Sequence, residues 1–103
     1  MAIAQYDPRH YVDRHPEPHE ILWLIEIGDA TRLYDRTRKM PLYALHRVRE
    51  VWLVDLVERK LVVGRSPTDL GYADFRELRH GEIVPEALPD VVFGVEELLG
   101  PSH

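Results

Sequence analysis

The segment ILWLIEI, residues 21–27, decides how this chain folds. It is apolar at both alternating positions, which is typical of a strand buried on both faces of a sheet. Glu26 is the one charge in this run. Because an unpaired carboxylate is costly to bury, we expect Glu26 to be ion-paired, hydrogen-bonded or bound to a metal. Gly28 and Asp29 then end the strand.

The chain that follows predicts the main helix, from about Asp35 to about Arg47. Within it, Asp35, Lys39 and Tyr43 are spaced by four residues and share one face if the segment is helical throughout. Pro41 complicates this prediction, because an interior proline removes a hydrogen bond and kinks a helix. Either the first turn is irregular, or the regular helix begins one residue before Pro41, with the proline in its first turn.

A carboxylate at the end of a buried strand, with a lysine on the next helix, indicates a site. The alternative is that Glu26 marks the point where a strand leaves the sheet. In that case Asp35 and Lys39 form an ordinary ion pair on a helix surface. Residue types and spacing alone leave both interpretations open.

The rest of the chain completes an α/β pattern. Val48–Leu56 predicts a second buried strand, and strand, helix and strand in this order predict a right-handed parallel crossover. Leu61–Arg65 predicts a hairpin strand, Pro67–Gly71 a break, and Tyr72–Leu78 a polar strand at a sheet edge. The remaining pieces are the end of a strand at 2–6, a loop at 7–20, short extended segments at 82–84 and 91–93, and a terminal helix at 95–99. We therefore expect one domain, 1–103, with a mixed β-sheet of about five strands, one main helix and a short C-terminal helix.

Composition narrows the class of protein. The chain has 103 residues, 45% hydrophobic and 30% charged, which suits one soluble domain. It has no cysteine, so a disulfide framework and a thiolate zinc site are excluded. His15 and His19 have a zinc-like spacing, but the two prolines between them prevent the helix that such a motif needs. With no membrane span and no signal peptide, the sequence predicts a cytoplasmic protein.

The charge is unevenly distributed. The net charge of -5 argues against general affinity for nucleic acid. Residues 30–49 nevertheless carry about +5, since six basic residues face one acid, Asp35. The basic residues are Arg32, Arg36, Arg38, Lys39, Arg47 and Arg49. Such a segment suits a phosphate-bearing ligand, and it equally suits a solvated helix face balanced by acids elsewhere.

Four segments, taken in order, resemble the Uma-two family of restriction-endonuclease-like proteins, within the PD-(D/E)XK nuclease superfamily. They are RHPEPHEILWLIEIGDAT, YDRTRKMPLYALHRVREVWLVDL, KLVVGRSP and LPDVVFGVEELLG. The resemblance covers about Tyr6 to Gly100. Its most specific part is an ordered set: Glu26, Asp35, Lys39, Tyr43 and the run EVWLVD at 50–55.

The resemblance implies a restriction-endonuclease-like core and a metal-dependent nuclease that hydrolyses DNA phosphodiester bonds. In such enzymes two acids hold a divalent metal and a lysine assists the attacking water. By position, Glu26 matches the acid of the central strand, as metal ligand and catalytic residue. The superfamily lysine would fall at Gly28, and Lys39 on the helix matches it instead. Asp35 and Tyr43 match supporting positions, and the implied DNA contacts are Arg32, Arg36 and Arg38.

The resemblance implies that the first acid of the family is absent from this chain. By alignment it falls at or just before Ala2, so we expect an N-terminally shortened domain in which Asp7 or Asp29 could substitute. The implied Mg²⁺ or Mn²⁺ would then bind weakly. Two functions remain open: an endonuclease-like domain, active or inactive, and a non-catalytic remnant that serves as an assembly or binding module. We also expect a homodimer, or a partner, to cover the strand edge exposed near Met1–Gln5.

Overall fold

A computed structural model of the chain describes the backbone of residues 2–4, 18–28 and 30–100, and the side chains of 19–28 and 38–100. The elements are β1 (Ala2–Ala4), a 3₁₀ turn (Pro18–Glu20), β2 (Ile21–Gly28), α1 (Ala30–Leu45), β3 (Glu50–Asp55), β4 (Lys60–Thr68), β5 (Gly71–Leu78), β6 (Glu82–Ile83), β7 (Phe93–Gly94) and α2 (Val95–Leu99). Most of the predicted loop at 7–20 lies outside the described residues.

The strands form a mixed sheet in the order β1-β2-β3-β4-β5, with β6 and β7 paired in a small second sheet. Strands β2 and β3 are parallel, and the other neighbours are antiparallel. Because β2 and β3 are parallel, the connecting helix α1 must carry the chain back along the sheet. The mixed α/β fold predicted from the sequence is confirmed, including the edge position of β5.

The centre of the sheet is β3, whose six residues are all buried. Both tryptophans are buried beside it, and the Trp23 and Trp52 rings meet edge to face with centroids 4.7 Å apart. The prediction that residues 21–27 are buried on both faces is wrong at their carboxyl end. Ile27 is 61% exposed, since it lies beyond the apolar cluster that buries Trp23 and Ile25.

Two apolar clusters cover the two faces of the sheet. On one face, Met40 of α1 packs with four strand or near-strand residues: Val48, Val51, Leu53 and Val62. On the other face, the tryptophans pack against β6, β7 and α2. Successive strand residues point to opposite faces, so each strand contributes alternately to the two clusters.

The predicted start of the main helix is wrong, whereas its predicted end, about Arg47, is within two residues of the observed one. Helix α1 already begins at Ala30 and ends at Leu45, and Pro41 lies inside it rather than in its first turn. The proline is tolerated because it faces solvent, whereas its neighbours Met40 and Ala44 are buried against the sheet. Tertiary packing of that apolar face, more than local propensity, stabilises such a helix.

The end of α1 is a Schellman motif. The N–H of Arg47 donates to the carbonyl of Ala44 at 2.9 Å, and that of Val48 donates to the carbonyl of Tyr43 at 3.0 Å. This pairing requires a left-handed residue after the helix, and Arg47 has φ 65°. Glycine is the usual residue at such a position because it has no Cβ, so the arginine here is unexpected.

The predicted break at Pro67–Gly71 contains the observed turn but is too long. Strand β4 continues to Thr68, with Pro67 paired to Tyr72, and the turn to β5 occupies only two residues. A left-handed residue, Ser66 at φ 58°, precedes the proline. The strand can include Pro67 because it is near the end of the hairpin, where a missing donor costs little.

Gly64 of β4 lets the side chains of Met40 and Tyr72 pack directly over the strand. A Cβ at this position would lie 2.7 Å from Cε of Met40 and 2.8 Å from Cδ2 of Tyr72. Both distances are below the van der Waals separation of carbon atoms. The space that a side chain would fill at Gly64 is therefore taken by these two neighbours.

Candidate functional site

Glu26 and Lys39 lie on the same side of the sheet. Leu24 packs in the α1-side cluster, and Glu26, two residues further along β2, points to the same face. Glu26 is partly buried, whereas Lys39 on α1 is exposed. Both residues therefore lie on the α1 side of the sheet, and side chains on opposite faces of the sheet could not have formed one site.

Lys39 stands at the rim of an apolar pocket of about 290 Å³. Besides the lysine, the pocket is lined by Ile21, Leu24, Leu42, Tyr43, His46 and Val48. Strand residues advance about 3.3 Å each, so Glu26 lies about 7 Å beyond Leu24. To approach the Glu26 carboxylate, the Lys39 side chain has to extend along β2 beyond Leu24. Tyr43, one turn later on α1, lies further from Glu26 than Lys39 does.

The structure adds a second carboxylate that the sequence interpretation did not single out, Asp55. In the parallel pairing, Glu26 is opposite Leu53 and Gly28 is opposite Asp55. Because Leu53 faces α1, Asp55 faces α1 as well. The signal that could have found it is an acid at the carboxyl end of each of two adjacent parallel strands.

Asp55 already has a structural role. It is 8% exposed, and its Oδ1 accepts hydrogen bonds from the N–H groups of Val57 at 3.0 Å and Glu58 at 2.9 Å. These bonds fix the turn from β3 to β4, as aspartate commonly does. One oxygen of Asp55 is thus committed to the turn.

The other predicted site residues are described unevenly. Arg38 is an exposed residue of α1, and Tyr43 is partly buried at the apolar pocket. The remaining side chains, those of Asp29, Arg32, Asp35 and Arg36, lie outside the part of the chain whose side chains are described. Their predicted roles stay predictions.

The described carboxylates offer an incomplete metal site. Among the residues that the structure describes, no group of three or more His, Asp or Glu is arranged to hold a metal ion. Magnesium is often held by one or two protein carboxylates and keeps several waters. Glu26, with Asp55 on the neighbouring strand, could supply those one or two carboxylates. The described residues do not supply three or more ligands.

Tyr72 fastens β5 to the end of α1. Its hydroxyl donates to the carbonyl of Val48 at 2.5 Å. Burial raises the pKa of the Tyr72 phenol well above its ordinary value, and the nearby Tyr43 raises it further. The hydrogen bond to Val48 holds Tyr72 at the wall of the pocket beside Tyr43.

A buried ion pair lies on the other face of the sheet, and the sequence interpretation missed it. Glu50 is 0% exposed. Its Oε2 accepts from Nε1 of Trp52 at 2.7 Å and from Nε of Arg65 at 2.6 Å. Its Oε1 accepts from the backbone N–H of Glu86 at 2.9 Å. This carboxylate therefore binds β3, β4 and the connector after β6 together.

A mixed sheet with a parallel β2–β3 pair, one covering helix and carboxylates at the strand ends is consistent with a restriction-endonuclease-like core. Comparison with known families places the chain more narrowly: residues 2–96 match Uma2, described as "Putative restriction endonuclease". The chain belongs to this family, which confirms the resemblance inferred from its sequence. A search of curated proteins found no match. Neither helix in the described ranges is long and apolar enough to cross a membrane.

Proposed function

We propose that this chain is a metal-dependent, endonuclease-like domain that acts on the phosphodiester bonds of DNA in the cytoplasm. Its membership of Uma2 supports the nuclease class. The observation that carries the proposal is the position of Glu26, at the carboxyl end of β2 and on the face that α1 covers. A sheet fixes the backbone there, so the carboxylate can be held towards a ligand.

Each residue of the proposed site has a distinct role. Glu26 binds Mg²⁺ or Mn²⁺, which when bound lowers the pKa of a coordinated water and offsets the phosphate charge. Lys39 places a positive charge beside the phosphate, and Arg38 contacts the DNA backbone together with Arg32 and Arg36. Asp29, Asp35 and Tyr43 support the site. With so few carboxylates, metal binding is weak.

A non-catalytic binding or assembly module is the second candidate function. It is favoured by the incomplete set of ligands in the described residues and by the commitment of Asp55 Oδ1 to a turn. Such a module would keep the fold and the basic helix while cleaving DNA slowly or not at all. The two candidates differ in metal-dependent turnover, not in structure.

Titration of the purified chain with Mg²⁺ and Mn²⁺ tests the metal role. We expect weak, saturable binding that is lost in Glu26→Gln, because the substitution removes the charge and keeps the shape. Glu82→Gln is the matched control, since Glu82 is an exposed acid away from this site. Equal loss of binding in both variants would show a general charge effect and contradict the assignment.

DNA cleavage by the same proteins then tests the activity. We expect slow, metal-dependent cleavage that disappears in Glu26→Gln and in Lys39→Ala. Arg76→Ala, which removes an exposed cation from the edge strand β5, should retain it. Robust cleavage that persists in both site variants would overturn the site, and metal binding without any cleavage would favour the binding module.

A further inference from the structure

A second cavity, of about 470 Å³, opens at the end of the sheet opposite to Glu26. We call it the basic cleft; it is lined by His19, Arg47, Arg49, Ser66, Pro67 and Glu86. The cleft lies beside the first residue of β2, because the N–H of Arg49, a lining residue, donates to the carbonyl of Ile21 at 3.3 Å. From Ile21 to Glu26 a strand advances about 17 Å. The basic cleft is therefore separate from the proposed metal site.

The cleft contains two guanidinium groups, of which one, Arg49, has no ion pair with a described residue. Arg47 donates to Oδ1 of Asp69 at 2.7 Å, in an exposed ion pair. Arg49 is exposed, and its guanidinium makes no hydrogen bond or ion pair with any described residue. Exposed ion pairs exchange readily with solvent ions, so both guanidinium groups are available to an anion.

Two of the lining residues adopt left-handed backbone conformations. Arg47 has φ 65° and Ser66 has φ 58°. For residues with a Cβ this conformation is costly, and residues of this kind cluster at functional sites. Glycine would fit either position without strain. An arginine and a serine here place two hydrogen-bond donors at the cavity wall instead.

The segment that contributes Glu86 to the cleft is anchored to the sheet by hydrogen bonds. Buried Glu50 accepts the N–H of Glu86, and Arg65 donates to the carbonyl of Val84 at 2.5 Å. The Glu86 carboxylate itself faces Arg65, whose Nε lies 3.9 Å from its Oε1. Among the described lining residues, the acid Glu86 is therefore directed in part towards Arg65, a cation outside the lining.

We propose that the basic cleft is a binding site for a phosphate group, held mainly by Arg49 with Arg47 and the hydroxyl of Ser66. Guanidinium groups bind phosphate oxygens through paired, charge-assisted hydrogen bonds. The cavity volume is in the range of sites for small ligands and leaves room for the sugar attached to a phosphate. The site does not depend on metal binding at Glu26.

Titration with inorganic phosphate at constant ionic strength, in metal-free buffer, tests the proposal by calorimetry and by the NMR shifts of arginine Nε–H groups. We expect saturable binding that shifts the Arg49 signal and weakens at least fivefold in Arg49→Gln. The matched control is Arg76→Gln, which removes the same charge from a surface pair with Asp74. It should change the dissociation constant by less than twofold.

Three results would overturn the proposal: no saturable binding, equal weakening in Arg49→Gln and Arg76→Gln, or loss of phosphate binding in Glu26→Gln. The last would place the anion at the metal site. A parallel titration with a thymidine dinucleotide distinguishes the two sources of the phosphate. Binding of the dinucleotide with the same dependence on Arg49 identifies a phosphodiester, whereas binding of inorganic phosphate alone identifies a free phosphate; either supports the site.

Discussion

At the scale of single residues, Arg47 has an unfavourable left-handed backbone conformation and a side chain that lines the basic cleft. It occupies the left-handed position that ends α1, and its Nη1 also donates to the carbonyl of Ala44 at 3.2 Å. Replacing it with alanine removes the guanidinium and keeps the strained Cβ. Replacing it with glycine removes both, so comparing the two variants separates the two effects.

We expect Arg47→Gly to be more stable than Arg47→Ala by about 1 kcal/mol, the cost of a Cβ in the left-handed region. Urea unfolding of both variants measures the difference. Both should bind phosphate more weakly than the parent chain, because both lack the guanidinium. If the two variants were equally stable, the left-handed conformation at Arg47 would be in doubt.

Glu50 is the residue whose charge the fold depends on most. Substitution with glutamine leaves Arg65 without its buried anion, and breaking such a pair typically costs about 3–5 kcal/mol. We expect Glu50→Gln to lower the free energy of unfolding by about 3 kcal/mol, measured in urea. The double variant Glu50→Gln/Arg65→Met should lose less than the sum of the single losses. A loss below about 1 kcal/mol in Glu50→Gln would contradict the buried pair.

At the scale of elements, β3 is the strand on which both faces of the sheet depend. Leu53 is 1% exposed and packs under α1. We expect Leu53→Ala to cost about 2–5 kcal/mol, because it removes buried methyl groups and leaves a cavity. Leu70→Ala is the control, since Leu70 is 94% exposed and its loss should be under about 0.5 kcal/mol. A similarly small loss for Leu53→Ala would contradict the central position of β3.

The elements were predictable where burial alone determines them. Unbroken apolar runs identify β2 and β3, and the turn residues between them and β4 follow from composition. The start of α1 and the end of β4 were not predictable, because in each case tertiary pairing or packing overrides the local residue preferences. In the structure, Pro41 is on the solvent face of a helix that packing holds together, and Pro67 pairs near the end of a hairpin.

The candidate site, too, was predictable from the sequence only in part. The sequence could place Glu26 near the end of a strand and Lys39 on the following helix, and the structure then shows both on the α1 side of the sheet. Asp55 and the basic cleft could not be assigned in this way. Assigning Asp55 requires the register of β2 against β3. Assigning the basic cleft requires the left-handed conformation of Arg47 at the end of α1, which no residue pattern predicts.

At the scale of the whole molecule, we expect the chain to self-associate. Apolar side chains are exposed along α1 and β2, with Leu42 at 54% and Ile27 at 61%, and β1 is only three residues long. A symmetric dimer is the commonest way to cover such surfaces. Sedimentation should therefore show a dimer, which Leu42→Glu weakens and Leu70→Glu leaves intact. A monomer at high micromolar concentration, without a partner, would contradict this.

The missing side chain at Gly64 has a consequence for how sequences with this fold can vary. Met40, Gly64 and Tyr72 come from a helix and two strands, yet they share one small volume. A larger residue at position 64 would have to be matched by a smaller one at 40 or 72, since interiors are close-packed. Across the family, these three positions should therefore change together, and their summed side-chain volume should vary less than any one of them.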